Sequence, residues 1–330
     1  MNRTVVFVLA LAGLLLLAGT ALAHVPEFPG DNDSPETALD VPTPTKSWVF
    51  YDEVAAQGAA YYSVEMEPGD RLVLRLFTPH SGEFAPGLVL MSPTIEGRDG
   101  VPDDVTVPEG YGARVLEGEG SADAEYEPFT PAAFYSTVAV DRRVGEGGTY
   151  LVAVYGPDRH AGPVGVVVGH EESFSVEEYL TVPIDRLRIH LWEGQSPLAV
   201  FGPGAVVLLG GLVVLVRRLS GPRLAVRAIV GIAALLFLAG ALGVALQTAI
   251  ALTKSGPAPG AALTVVFVLV PAGIGAWLLR RATDGDLAPT VRTRTAFLAA
   301  GVLGFLTWGG VVLGPALAMI AATLPWNRPP

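Results

Sequence analysis

Four stretches without Asp, Glu, Lys, Arg or His, at residues 197–216, 228–253, 261–279 and 295–326, constrain this chain more than any other feature. Each reaches the roughly 20 apolar residues needed for a helix to cross about 30 Å of hydrocarbon. In that solvent every backbone N–H and C=O must be paired internally, which a helix achieves alone. The expectation is an α-helical transmembrane bundle of four spans, embedded in membrane lipid. The last stretch has 32 residues, about 48 Å if fully helical, so it has to tilt, bend near Pro315 or project beyond the bilayer.

Charge divides the rest of the chain from this bundle. Residues 24–197 hold 30 of the 32 acidic residues and 10 of the 21 basic ones, whereas residues 198–330 hold 2 acids and 10 bases. A surface that acidic repels phosphate, so nucleic acid is excluded as a partner of the N-terminal half. The bases orient the spans. Arg217, Arg218, Arg223 and Arg227 separate the first two, Arg280, Arg281, Arg292 and Arg294 the last two, and the intervening loop carries Lys254. The positive-inside rule then makes the arginine-bearing loops cytoplasmic, residues 24–196 extracytoplasmic and the C-terminus extracytoplasmic, in a multi-pass protein of the cell membrane. Residues 1–23, with Arg3, an apolar run and Ala21-Leu22-Ala23, read as a cleaved signal peptide, an uncleaved anchor being the alternative.

The chain has no cysteine, which removes disulfides, thiolate catalysis and Cys-ligated metal centres. An acidic, Pro-rich segment, residues 24–46, leads into an extracytoplasmic domain at residues 47–174. There, short β-like runs at 60–66, 71–76, 87–91, 136–140, 149–155 and 164–168 are separated by Gly, Pro and Asp, with Leu72, Leu74 and Leu76 on one face. This is the pattern of an all-β antiparallel sandwich.

Asp31-Asn32-Asp33-Ser34-Pro35-Glu36-Thr37-Ala38, then Tyr61-Tyr62 and Pro68-Gly69-Asp70-Arg71-Leu72, carry a resemblance. Residues 30–170 resemble bacterial pre-peptidase C-terminal (PPC) domains, and the whole chain looks like uncharacterised prokaryotic multi-span membrane proteins with such an ectodomain. The chain departs from the family pattern at Ala60, where an acid is common, and in a long acidic insertion at residues 92–130. The resemblance implies a jelly-roll-like sandwich used for binding or as an accessory module, with no catalysis.

Residues 175–196 contain a capping-box spelling, Ser175-Val176-Glu177-Glu178, and Pro183 at a position that can open a second short helix. They read as juxtamembrane interfacial helices, an edge strand being the alternative. No HExxH and no G-x-S-x-G occurs. An extracytoplasmic hydrolase would need acids converging with His80 or His170. Asp31, Asp33 and Glu36 place hard oxygen ligands within one turn of chain, which suits calcium, as in some PPC relatives; the alternative is a hydrated acidic linker. His24, next to a new amino terminus after cleavage, has the chemistry of a Cu(II) chelate. Tyr111, Tyr126, Phe129, Phe134 and Tyr135 bracket the insertion as core or as a recognition face. Small residues such as Gly210, Gly211, Ala239, Gly243, Gly310 and Gly314 allow close helix contact, within one bundle or in an oligomer.

Together these features give a non-enzymatic integral membrane protein. It displays a PPC-like sandwich for binding at the envelope, where the partner would be a protein, a polysaccharide or an ion, or it serves as an accessory subunit. The alternative is a solute- or metal-handling membrane component whose spans form a path.

Overall fold

The computed structural model describes residues 24–220, 223–284, 287–288 and 290–326; the expected signal peptide and Arg328 lie outside the described residues. Chain contacts define two units. A β-rich unit runs to Glu127 and takes in Ala133–Tyr179, and a helical unit comprises Pro128–Ala132 with the chain from Leu180 onward.

The β-rich unit contains β1 (Val25–Glu27), β2 (Leu39–Asp40), β3 (Trp48–Val54), β4 (Ala59–Met66), β5 (Arg71–Thr78), β6 (Gly87–Ser92), β7 (Gly112–Leu116), β8 (Glu125–Glu127), β9 (Ala132–Arg143), β10 (Gly148–Tyr155) and β11 (Gly162–Val168). They form a six-stranded sheet, β1-β3-β11-β5-β9-β8, and a five-stranded sheet, β2-β4-β10-β6-β7. One core joins the sheets: Leu72, Leu74 and Leu76 from the first pack with Tyr62, Leu90 and Val152 from the second, all fully buried. Each such side chain removed from water contributes roughly 1.5–3 kcal/mol.

Two features add to the sequence reading. The acidic, Pro-rich segment at 24–46 is part of the sandwich. It supplies β1 and β2, which pair in parallel with β3 and β4 and so add parallel edges to otherwise antiparallel sheets. The insertion after β6 is also built in. Val105 and its neighbours Val101, Val107 and Tyr111 cover the outer face of the five-stranded sheet over Tyr61, Val89, Met91 and Leu151. Cover on both faces explains why β6 is apolar at every position from Leu88 to Met91 instead of alternating.

The helical unit follows. α1 (Val176–Trp192) is one helix that runs through Pro183, where the sequence suggested two short ones; its start has the Ser175–Glu178 capping pair. α2 (Pro197–Arg218), α3 (Leu224–Ser255) and α4 (Ala261–Thr283) are long and apolar enough to cross a membrane. These three helices mark the chain as a membrane protein. Arg227 is buried at the start of α3 because its guanidinium donates to Ala282 O at 2.8 Å, Thr283 O at 3.3 Å and Ser220 O, capping the free carbonyls at the end of α4.

The expected fourth span is not a single helix. Residues 295–326 fall into α5 (Val291–Leu306) and α6 (Leu313–Thr323), joined by a turn at 307–312. In that turn Trp308, Gly310, Val311 and Val312 all adopt positive φ. The break lies just before Pro315, near which a bend was one of the three alternatives. The two helices fold back on each other. Arg294, at the start of α5, donates to Ala322 O at 2.8 Å and Leu324 O at 3.0 Å, and its guanidinium lies 5.4 Å from the Trp326 ring centre. Among the described residues three helices, not four, are long enough to cross. Trp326, the last described residue, thus lies beside Arg294.

Candidate functional site

The Asp31–Glu36 motif is organised around its asparagine. Asn32 is buried and donates through Nδ2 to Asp52 Oδ2 at 3.1 Å and to Tyr61 O at 3.3 Å, while its own carbonyl accepts from Tyr61 N–H at 2.7 Å. Tyr62 Oη donates to the same Asp52 oxygen at 2.5 Å. Burial, and after it the Asp52 charge, push this phenol well above its ordinary range. Asp31, Asp33 and Glu36 are exposed by comparison, and Asp33 Oδ1 accepts from Thr37 Oγ1 at 3.3 Å beside the Ser34 cap. Among the described residues no group of three or more His, Asp or Glu side chains is placed to hold a metal ion.

His24 is partly buried, with Nδ1 2.5 Å from Ser47 Oγ. Burial, with a smaller contribution from Arg75, lowers its pKa to about 4. A chelate formed by the amino group and Nδ1 would have to displace Ser47. The bracketing aromatics do not share one face. Phe134 meets Phe77 in a tilted pair with ring centres 4.4 Å apart, Tyr111 packs with the insertion on the five-stranded sheet, and Phe129 belongs to the helical unit, 6.1 Å from Phe267 and 6.0 Å from Trp308.

Among the described residues two concavities with charged side chains in their walls stand out, one in each unit. In the β-rich unit a polar cleft of about 410 Å³ lies between the insertion and the β10–β11 connection. Asp104, Glu117, Tyr155 and Arg159 face it. Arg159 Nε is 3.7 Å from Asp104 Oδ2, and Arg159 has φ of +59°. Burial, then Glu117, raise the Tyr155 phenol, so it stays a neutral hydrogen-bond donor. The cleft thus offers a cation, two carboxylates and a hydroxyl to a polar ligand.

In the helical unit a cavity of about 330 Å³ is walled by α1, α2, α3, α4 and the 307–312 turn. Phe201, Leu208, Leu236, Phe267 and Trp308 make it mainly apolar, and Arg186, His190 and Gln247 are its polar side chains. Behind them lies a buried network. His190 Nδ1 is 3.0 Å from Glu193 Oε2, which also accepts from Gln195 Nε2 at 2.9 Å. Gln195 and Gln247 exchange side-chain bonds of 2.8 and 2.9 Å. The sequence does not announce this pair, because Gln195 sits just outside the uncharged stretches. The His190–Glu193 spacing of three along α1 was the available signal.

No family model matches the chain, and no curated protein matches it. Among the solved structures that match, one aligns with 45% of this chain and 100% of its own, at 10% identity and a TM-score of 0.24. Its title describes CorA as a surface-associated copper-binding protein important in Methylomicrobium album BG8 copper acquisition. A likeness at that TM-score carries no argument about fold or copper.

Proposed function

We propose that this integral membrane protein is non-enzymatic and holds its β-rich unit outside the cell as a PPC-like binding or accessory module. The cleft at Asp104 and Arg159 is the observation that carries the reading. It is concave, polar and bounded by loops on the sandwich, where ligand-binding residues are commonly carried. Its mixture of hydrogen-bonding and charged groups suits a hydroxyl-rich polymer such as an envelope polysaccharide.

The arginine bias supports the sidedness. With Arg217, Arg218, Arg280 and Arg281 at the C-terminal ends of α2 and α4, both basic loops belong to the cytoplasmic face and residues 24–196 to the other. The α5–α6 hairpin then enters from the cytoplasmic face and returns to it, carrying the chain past Leu324 inside.

The test is calorimetric titration of the full chain in nanodiscs with purified envelope polysaccharide. Saturable binding that Arg159→Ala and Asp104→Ala each weaken supports the reading; equal binding by wild type and both variants contradicts it.

A further inference from the structure

Between α4 and α5 runs a groove of about 510 Å³, walled by Leu269, Ile274 and Trp277 on one side and Ala296, Ala300 and Leu303 on the other. No charged side chain lines it. Because α4 ends and α5 begins at the 284–290 connection, the Trp277–Ala296 end of the groove lies near that connection and the Leu269–Leu303 end far from it. Leu269 is 63% exposed, so the groove opens to the surface of the bundle, which in a bilayer is lipid.

The near end is marked by cations. The Arg281 guanidinium lies 5.8 Å from the Trp277 ring centre, and Trp277 meets Phe297 of α5 edge-on at 5.5 Å. Arg281 follows Trp277 by four residues and Arg292 precedes Ala296 by four, so both stand one turn beyond the groove on the helix faces that line it. Both are exposed, and among the described residues neither has an ion pair; Asp284 is taken by Arg280 at 3.4 Å. Tryptophan and arginine settle at the headgroup level of a membrane. From Leu269 to Arg281 the helix rises about 18 Å, close to the roughly 15 Å of hydrocarbon in one leaflet. The groove thus runs from the interface towards the midplane, with charge at its outer end alone.

We infer that this groove seats one anionic phospholipid of the surrounding bilayer, with an acyl chain along Leu269, Ile274 and Leu303 and the phosphodiester at Arg281 and Arg292. The planar guanidinium matches phosphate oxygens with two parallel hydrogen bonds, and basic sites beside spanning helices are where such headgroups are held. The same charge disfavours a second copy as the occupant. Two copies in one membrane orientation would bring their Arg281 and Arg292 side chains to a single level, where they repel. The inference goes beyond the polysaccharide reading and depends neither on it nor on which membrane face carries the arginines.

The experiment is native mass spectrometry of the full chain, with phosphatidylglycerol and phosphatidylcholine of identical acyl chains offered in equal amounts. A basic side chain near the membrane surface is worth about fivefold in affinity for an anionic lipid, so phosphatidylglycerol is expected to be retained about tenfold or more over phosphatidylcholine. The Arg281→Gln, Arg292→Gln double variant should lose that preference, whereas Arg217→Gln with Arg218→Gln, at the end of α2 and outside the groove, should keep it. Gly273 lines the groove and a Cβ there would meet nothing within 4 Å, so Gly273→Leu fills the space without displacing a neighbour. It should weaken phosphatidylglycerol retention about tenfold at unchanged melting temperature; if it fails to fold, Ala299→Leu, at an exposed position of the same wall, takes its place. Equal retention of both lipids by wild type, an unchanged preference in the Arg281 and Arg292 double variant, or unchanged retention in the filling variants would overturn the proposal. So would an equal loss in the Arg217 and Arg218 variant, or a dimer that Gly273→Leu dissociates whatever the lipid, since a second copy would then occupy the groove. Polysaccharide binding at Arg159 is a separate readout, so failure of one reading leaves the other standing.

Discussion

Arg294 and Ala322, 28 positions apart, meet through a 2.8 Å hydrogen bond from the Arg294 guanidinium to the Ala322 carbonyl. That contact ties the first turn of α5 to the last turn of α6. It turns what reads as one crossing into a hairpin, and it gives the otherwise unpaired carbonyls at the end of α6 a charged donor. Gly301 and Gly304 permit the close approach, since a Cβ at either would press on Met319 or Pro315 of α6.

Asn32, not the carboxylates around it, is the structural centre of the N-terminal motif. Asn32→Ala leaves Asp52 and a backbone carbonyl without their amide donor in a buried site and is expected to cost about 1–3 kcal/mol. Asp31→Ala, at an exposed position, should stay within about 0.5 kcal/mol of wild type. Urea denaturation of the two variants, followed by fluorescence, checks the contrast.

His24 makes stability depend on pH. Its folded-state pKa of about 4 lies below the ordinary 6.5, so the native protein holds it neutral while the unfolded chain takes up a proton. The contribution is complete above pH 6.5 and is lost as pH falls from 6.5 towards 4. At about 1.4 kcal/mol per unit it amounts to at most about 3.5 kcal/mol, less for a ring that is only partly buried. A melting curve taken across that window should flatten in His24→Gln, which keeps a polar group near Ser47.

Gly165 on β11 lies under the Phe77 ring of β5; a Cβ there would fall 2.0 Å from Phe77 Cζ. Gly165→Ala is therefore expected to destabilise by about 1–3 kcal/mol through overpacking. Adding Phe77→Leu should recover part of the loss, and a double-mutant cycle on melting temperature measures the coupling.

Much of the sandwich is legible from the chain because short apolar runs are bounded by Gly, Pro and Asp. Leu72, Leu74 and Leu76 announce a strand, and Pro68-Gly69-Asp70 announces the turn before it. β1 and β2 are not legible. Three and two residues are too short for a pattern, and their parallel pairing with β3 and β4 is a tertiary fact. The α5–α6 break escapes for another reason. Hydropathy measures the cost of moving side chains into lipid, and Thr307-Trp308-Gly309-Gly310-Val311-Val312 is as apolar as a helix. The paired glycines were the local hint; what decides the matter is Arg294 reaching back to Ala322. The cavity site was partly visible in Gln247, but its second half needed α1 to be folded as one continuous helix through Pro183.

Each connection belongs to one membrane face, and the absence of native cysteine makes single-cysteine labelling of intact cells a clean measurement of which. With a membrane-impermeant maleimide, Asp123→Cys and Ser255→Cys should react. Ser220→Cys and Pro325→Cys should stay silent until the membrane is permeabilised. Labelling of Pro325→Cys in intact cells would restore a full fourth crossing, and labelling of Ser220→Cys with Asp123→Cys silent would invert the arrangement; either result contradicts the account.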